Sequence, residues 1–246
     1  MKTLKNKLIF YFLLLFFTIL LFHQPVSAAT KVSLNKQKIT LCMGKKATLN
    51  IVGSSQKATW STSNKKVAKV TSNGKITAVT PGVATITAKI GSKKYNCKVT
   101  VVSHKYDKKT YKCKYCGQVL NDKVVESNIN AMKVIFPDKM KWNSTNSYSW
   151  HGGILMGGYG CVAFAFKLSD IAFDELPARK TYNFDNIRVG DVVRVNNNTH
   201  SIICIKKSGN TYYFAAGNVN GKVTWNNKYT LKQIKKIGDY IFTRYP

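Results

Sequence analysis

Between residues 31 and 102 apolar and polar positions alternate with a period of two. The runs KVSLNKQKITL, KKATLNIVG, ATWSTSN, VAKVTSNGKITAV, GVATITAKIG and KKYNCKVTVV are short. Turn signals such as Asn73-Gly74 and Pro81-Gly82 separate them at regular intervals. This spacing predicts an all-β sandwich of the seven-strand class. The rhythm stops at residues 103–120, SHKYDKKTYKCKYCGQVL, which read as a lysine-rich linker. Beyond residue 121 the periodicity is mixed. Val124–Phe136 fits an amphipathic helix, and CVAFAFKLSDIAF (Cys161–Phe173) is apolar nearly all round, as a buried helix is. Strand-like runs follow: GDVVRV, HSIICIKK, NTYYFAAG, KVTW and DYIFTRYP, with Lys206–Asn210 as a hairpin loop. One early helix packed on a small antiparallel sheet predicts an α+β domain over residues 121–246.

The N-terminus adds a targeting signal. Lys2, Lys5 and Lys7 precede the uncharged run Leu8–Phe22, and small residues surround Ala28. A basic region, a short apolar region and a small-residue cleavage site make residues 1–28 a secretory signal peptide. The apolar run is short of the ~20 residues that a membrane span needs. The expectation is an exported chain with no transmembrane anchor after cleavage.

Charge changes the choice of partner. The formal net charge is +29. Residues 31–102 hold 14 lysines and neither Asp nor Glu, whereas residues 121–246 hold 17 Lys/Arg against 9 Asp/Glu. An exported polycation meets phosphate-bearing wall polymers and anionic lipid headgroups before it meets nucleic acid. Peptidoglycan and anionic cell-wall polymers are therefore the expected partners, with no specific nucleic acid. Plain solubility is the bland reading of the same charge.

Six cysteines follow the signal peptide: Cys42, Cys97, Cys113, Cys116, Cys161 and Cys204. An even count in an exported chain permits disulfides. Cys113-x-x-Cys116-Gly117 resembles half of a zinc knuckle, and zinc needs four ligands. There is no second CxxC, and only His104 is near in sequence. A zinc half-site at Cys113 and Cys116, a local disulfide and a redox pair all stay open; otherwise no cofactor is expected.

Cys161 opens the buried helix after a Gly-rich stretch, where the helix dipole favours a thiolate. His200 opens the strand HSIICIKK. A strand packed on that helix would bring a base to the thiol, the arrangement of papain-like enzymes. The competing reading makes Cys161 a small core residue and His200 a satisfied strand-end histidine. Cys204, four residues along the His200 strand, reads as a core thiol. His151, Trp150 and Tyr159, in the long loop WNSTNSYSWHGGILMGGYG, are candidate substrate contacts, with Trp142 as a further cleft wall. Buried aromatics are the commoner case.

Two resemblances sharpen this. WSTSNKKVAKVTSNGKITAVTPGVATITA, closed by CKVTV, resembles the bacterial immunoglobulin-like group 2 domain (Big2) across residues 31–102. That implies a surface spacer or adhesive stalk, with Trp60 as core anchor and Gly74 and Gly82 as turn formers. First and last strands are often neighbours in such sandwiches, which implies a Cys42–Cys97 disulfide; the alternative is two buried thiols. The order GYGCVAFAF, IRVGDVVRV, THSIICI and YYFAAGNVNGKVTW resembles the NlpC/P60 and CHAP class of papain-like cysteine peptidases and amidases. It implies Cys161 as nucleophile and His200 as base. CHAP domains carry Glu-x-Asn on the following strand; here the residues are Ala216-Gly217-Asn218, so Asn218 becomes the orienting residue and the acid is missing. The resulting expectation is a secreted, wall-associated hydrolase cleaving amide bonds in peptidoglycan peptides. Its alternative is a non-catalytic surface binding or adhesion protein on a degenerate hydrolase fold.

Overall fold

The structure is a computed structural model and describes residues 31–246. The expected signal peptide at residues 1–28 lies outside the described residues. Among the described residues no helix is long and apolar enough to cross a membrane.

The N-terminal unit is a sandwich, as its alternation predicts. One sheet holds β2 (Lys38–Cys42), β9 (Lys93–Val102), β8 (Gly82–Ile90) and β5 (Thr59–Thr62), in that order. The other holds β3 (Lys46–Thr48), β7 (Lys75–Ala78) and β6 (Ala68–Val70). The short pair β1 (Ser33–Leu34) and β4 (Ile51–Val52) lies beside them. β8 shows the cause: its alternate residues Ala84, Ile86, Ala88 and Ile90 are buried, while Val83 and Lys89 face water. β2 and β9 run parallel, with Lys38 against Lys98 at one end and Cys42 against Val102 at the other. Gly74 is required where it stands. Its φ is +77°, and a Cβ there would lie 2.3 Å from the Leu49 carbonyl oxygen and 2.8 Å from the Trp60 ring.

The C-terminal unit departs from expectation. Its six-stranded sheet runs β12 (Arg179–Thr181), β17 (Gly238–Thr243), β13 (Val192–Val195), β14 (His200–Ser208), β15 (Thr211–Val219) and β16 (Lys222–Thr230). A further hairpin pairs β10 (Ser147–Ser149) with β11 (Gly157–Tyr159). Strands take 43% of the described residues and helices 17%. The chain is thus mostly β with several sheets, and the expected papain-like α+β class, one helix on a small sheet, is overturned. The sequence reading cut the strands too short. KVTW is only the start of a nine-residue strand that runs on through NNKYT, because alternation in a polar edge strand carries little apolar signal.

Three helices flank this sheet. α1 (Asp122–Ala131) is capped by the Asn121 side chain, which accepts the Val124 N–H. α2 (Gly160–Phe173) packs on β14 and β15, and α3 (Leu231–Ile237) begins with a Thr230/Gln233 capping box. Both sheet faces are buried. Val192, Ile203 and Ala215 join the core under α2; Val193, Ile202, Cys204 and Phe214 join the core under α3. That explains the unbroken apolar run VV in β13 and II in β14.

The two units share packing. Cys42 and Val102 of the sandwich belong with the core under α2, while Ala131 and Ile171 pack against the sandwich core.

Candidate functional sites

Two clusters carry chemistry. The first lies where the sandwich meets the linker. Cys42 ends β2, His104 follows β9 by two residues, and Cys113 and Cys116 sit in the turn that ends at Gly117. The ligand atoms of these four residues all lie within 4.8 Å of one another. Cys42 Sγ is 3.8 Å from Cys113 Sγ, and Cys116 Sγ is 3.4 Å from His104 Nδ1. His104 Nε2 lies 3.2 Å from the Met43 carbonyl oxygen, which orients the ring. His104, Cys42 and Cys113 are almost fully buried, and Cys116 is half-buried. Burial pushes the Cys42 thiol well above its ordinary range, helped by Cys116 and Cys113 beside it. Burial raises Cys113 as well, but backbone N–H groups of Tyr115 and Cys116 outweigh it and bring the thiol below its ordinary range. Burial lowers His104, against the Met43 carbonyl, and favours the neutral ring.

Sequence reasoning found Cys113 and Cys116 and noted His104 nearby, but missed Cys42 as the fourth member. The Big2 resemblance implied a Cys42–Cys97 disulfide, with two buried thiols as the alternative, and the strand register favours the two thiols. The β2–β9 register sets Cys42 opposite Val102, five residues along the strand from Cys97. At ~3.3 Å per residue the two are far beyond the ~7 Å limit between bridged Cα atoms. Cys97 is buried in the sandwich core.

The second cluster surrounds the start of α2. Cys161 is 7% exposed, and its Sγ lies 4.0 Å from the Thr199 carbonyl oxygen, one residue before His200. Gly160, at φ +55°, has room for no Cβ without pressing on Asn218 Nδ2 at 3.1 Å. So Cys161 lies near the residue before His200, and Asn218 lies against Gly160, although no hydrogen bond joins the three side chains among the described residues. Burial lowers the pKa of His200, and the Arg194 guanidinium lowers it further. Arg194 is itself held by Asn198 and by Ser201 Oγ at 2.6 Å. The turn between β13 and β14 is built from Asn196, Asn197 and Asn198, all at positive φ, where asparagine is favoured. Ala216 is buried in the core under α3 and offers no acid. Cys204 is buried in that same core, as expected of a core thiol.

The aromatic loop behaves differently from expectation. Trp150 is not a substrate contact: it is 5% exposed and stacks on Phe166 at 3.9 Å between ring centroids. Trp142 is buried too, and its Nε1–H donates to the Gly160 carbonyl at 2.8 Å, bracing the residue before Cys161. His151 is exposed, but its Nδ1 lies 3.2 Å from Asp170 Oδ2, which also accepts from Tyr148 OH and the His151 backbone. Tyr159 is 68% exposed beside Cys161. A cleft of about 440 Å³ lies elsewhere, among Arg179, Arg188, Asp191 and Lys207, and contains neither Cys161 nor His200.

Comparison with known proteins decides the first unit. Residues 28–102 match the bacterial Ig-like domain (group 2) family. This group 2 Ig-like domain is the β2–β9 sandwich described above. No curated protein matches the chain. Among solved structures, the S-layer protein rSbsC(31-844) is 19% identical, over 31% of this chain and 14% of its own, with a TM-score of 0.27. The present chain thus spans about a seventh of that protein. SbsC domains 4 and 5 are 21% identical over 30% of this chain and 51% of theirs, with a TM-score of 0.26. A mutant intimin from EHEC O157:H7 is 10% identical over 81% of this chain and 93% of its own, again at 0.27. Likeness at that level carries no functional inference. None of these matches places residues 121–246 in the NlpC/P60 or CHAP class.

Proposed function

We propose that this chain is an exported cell-surface binding protein whose group 2 Ig-like domain engages anionic wall polymers. One observation carries the reading. Of the 14 lysines in the sandwich unit, all are exposed except the half-buried Lys45, and no carboxylate offsets them. Two pairs stand directly across from one another, Lys38 with Lys98 and Lys89 with Lys94. Like charges facing one another across paired strands destabilise a sheet. A bound polyanion removes the repulsion, so part of the binding free energy is stored in the free sheet. The test uses purified wall sacculi, with and without their phosphate polymers, at rising salt. Binding should weaken with salt and on stripped sacculi, and K38E/K98E should weaken it further. Equal binding to stripped and intact walls would sink this reading.

Two placements support a second reading, thiol hydrolysis of peptidoglycan amides: Cys161 lies beside the Thr199 carbonyl, next to His200 in the chain, and Asn218 lies against Gly160. Cys161 would attack the carbonyl carbon while His200 takes the thiol proton and passes it to the leaving amine. Asn218 would orient the imidazole, since an amide can replace the usual carboxylate. Iodoacetamide labelling at neutral pH, and fragment release from sacculi by the protein and by C161A, separate the readings. An unreactive Cys161 with no released fragment leaves binding alone.

A further inference from the structure

We propose that Cys42, His104, Cys113 and Cys116 bind one structural zinc ion that clamps the Ig-like domain to the second unit. Zinc at ~2.3 Å from sulfur and ~2.0–2.1 Å from nitrogen, with tetrahedral angles, sets S···S edges of about 3.8 Å and S···N edges of about 3.5 Å. The two pair separations given above, 3.8 Å and 3.4 Å, fall on those edges. A disulfide would bring two sulfurs to ~2.05 Å, and three cysteines in one cluster leave an odd thiol whichever pair closes. A metal uses all three sulfurs and the imidazole together. The mixed thiolate and imidazole set suits zinc, and the cluster holds no carboxylate of the kind hard-oxygen metals take.

The histidine supports the same assignment. Nδ1 faces Cys116 while Nε2–H is positioned to donate to the Met43 carbonyl, the outer hydrogen bond that fixes a ligating tautomer. Four protein ligands leave no open position, so the role is structural. The connectivity says what is held. Cys42 and Cys113 are 71 residues apart, and the cluster joins the end of β2, the exit of β9 and the linker. The linker then passes through buried Leu120 directly into the Asn121 cap of α1. Lys45 Nζ, donating to Gln118 Oε1 at 2.8 Å, bridges the same joint.

Metal content of the full chain, purified under reducing conditions and dialysed, should read one zinc per chain. Cobalt substitution should give the absorption of tetrahedral Co(II) with sulfur-to-metal charge transfer. C113S and C116S should lose the metal, whereas C97S and C204S, which remove buried thiols outside the cluster, should keep it. If the cluster variants fail to fold, the cobalt spectrum of the unaltered chain still decides. Zinc absent after incubation with excess metal, or mass spectrometry showing a Cys42–Cys113 or Cys113–Cys116 disulfide in the chain as secreted, would overturn the proposal.

Discussion

Replacing Asp191 by Asn should stabilise the protein at neutral and alkaline pH and do little in acid. Asp191 follows Gly190 into β13 and is 2% exposed. Its Oδ2 accepts the Arg188 backbone N–H at 2.8 Å, and its Oδ1 finds no hydrogen-bond partner among the described residues. Burial raises its pKa to about 7, against the pull of the Arg188 N–H. A carboxyl raised above its unfolded value binds its proton more tightly when folded. The stability this brings is complete below the unfolded value, 3.8, and is lost as pH rises to about 7. Three units at ~1.4 kcal/mol each set an upper bound of roughly 4 kcal/mol above pH 7. Asn keeps the acceptor for Arg188 without the charge, so the variant should gain about 2–4 kcal/mol at pH 8 and be near neutral at pH 4. Urea unfolding followed by tryptophan fluorescence reads the unit concerned, since Trp142, Trp150 and Trp225 all lie in it. A difference between variant and parent that stays constant from pH 4 to 8 would refute the assignment of the buried charge.

Three other outcomes test the packing and the Cys161 region. Phe166→Ala, removing a fully buried ring from the Trp150 stack, should cost about 3–5 kcal/mol in urea unfolding. Gly160→Ala forces a side chain into φ +55° and against Asn218; it should cost roughly 1–2 kcal/mol and change the alkylation rate of Cys161, read by thiol-labelling mass spectrometry. By NMR, the His200 ring should titrate below 6.5, and Arg194→Met should move the midpoint only part of the way back, because burial is the larger cause. A full return to 6.5 would make Arg194 the dominant influence instead.

The sandwich was legible because every level of its sequence agreed: alternation, turn residues and spacing all pointed to short antiparallel strands. The second unit was legible only in its helix and strand starts. There β13 and the first part of β14 are buried on both faces and β16 is half-polar, so none of them carries the clean alternation that fixes length. Trp150 was misplaced because a loop tryptophan beside glycines gives no sign of whether it turns inward. The cluster of Cys42, His104, Cys113 and Cys116 was the instructive miss. The expectation that first and last strands are neighbours was sound, and β2 does pair with β9. Parallel pairing sends both strands out at the same end, which puts Cys42 beside the residues after Val102, not beside Cys97. The direction of that one strand pair decides whether Cys42 stands beside Cys97 or beside the linker cysteines, and alternation carries no information about direction.

The same strand pair ties charge to clamp. Lys38 and Lys98 face each other across β2 and β9, and these strands then run to Cys42 and to His104. β2 is an edge strand whose partner repels it at one end, so its pairing relies on what secures the other end. In the proposed zinc site, a bound ion would hold β2 to β9 against the lysine repulsion and keep the lysines close enough to share one polyanion. Chelation should therefore loosen the β2 amides in low salt more than those of β8, which is paired on both sides. Added polyphosphate should restore part of that protection by neutralising the lysines. Hydrogen exchange followed by mass spectrometry on residues 38–42 and 82–90 measures both effects. Equal protection of β2 with and without metal, at low salt, would separate the clamp from the charged face and leave each to act alone.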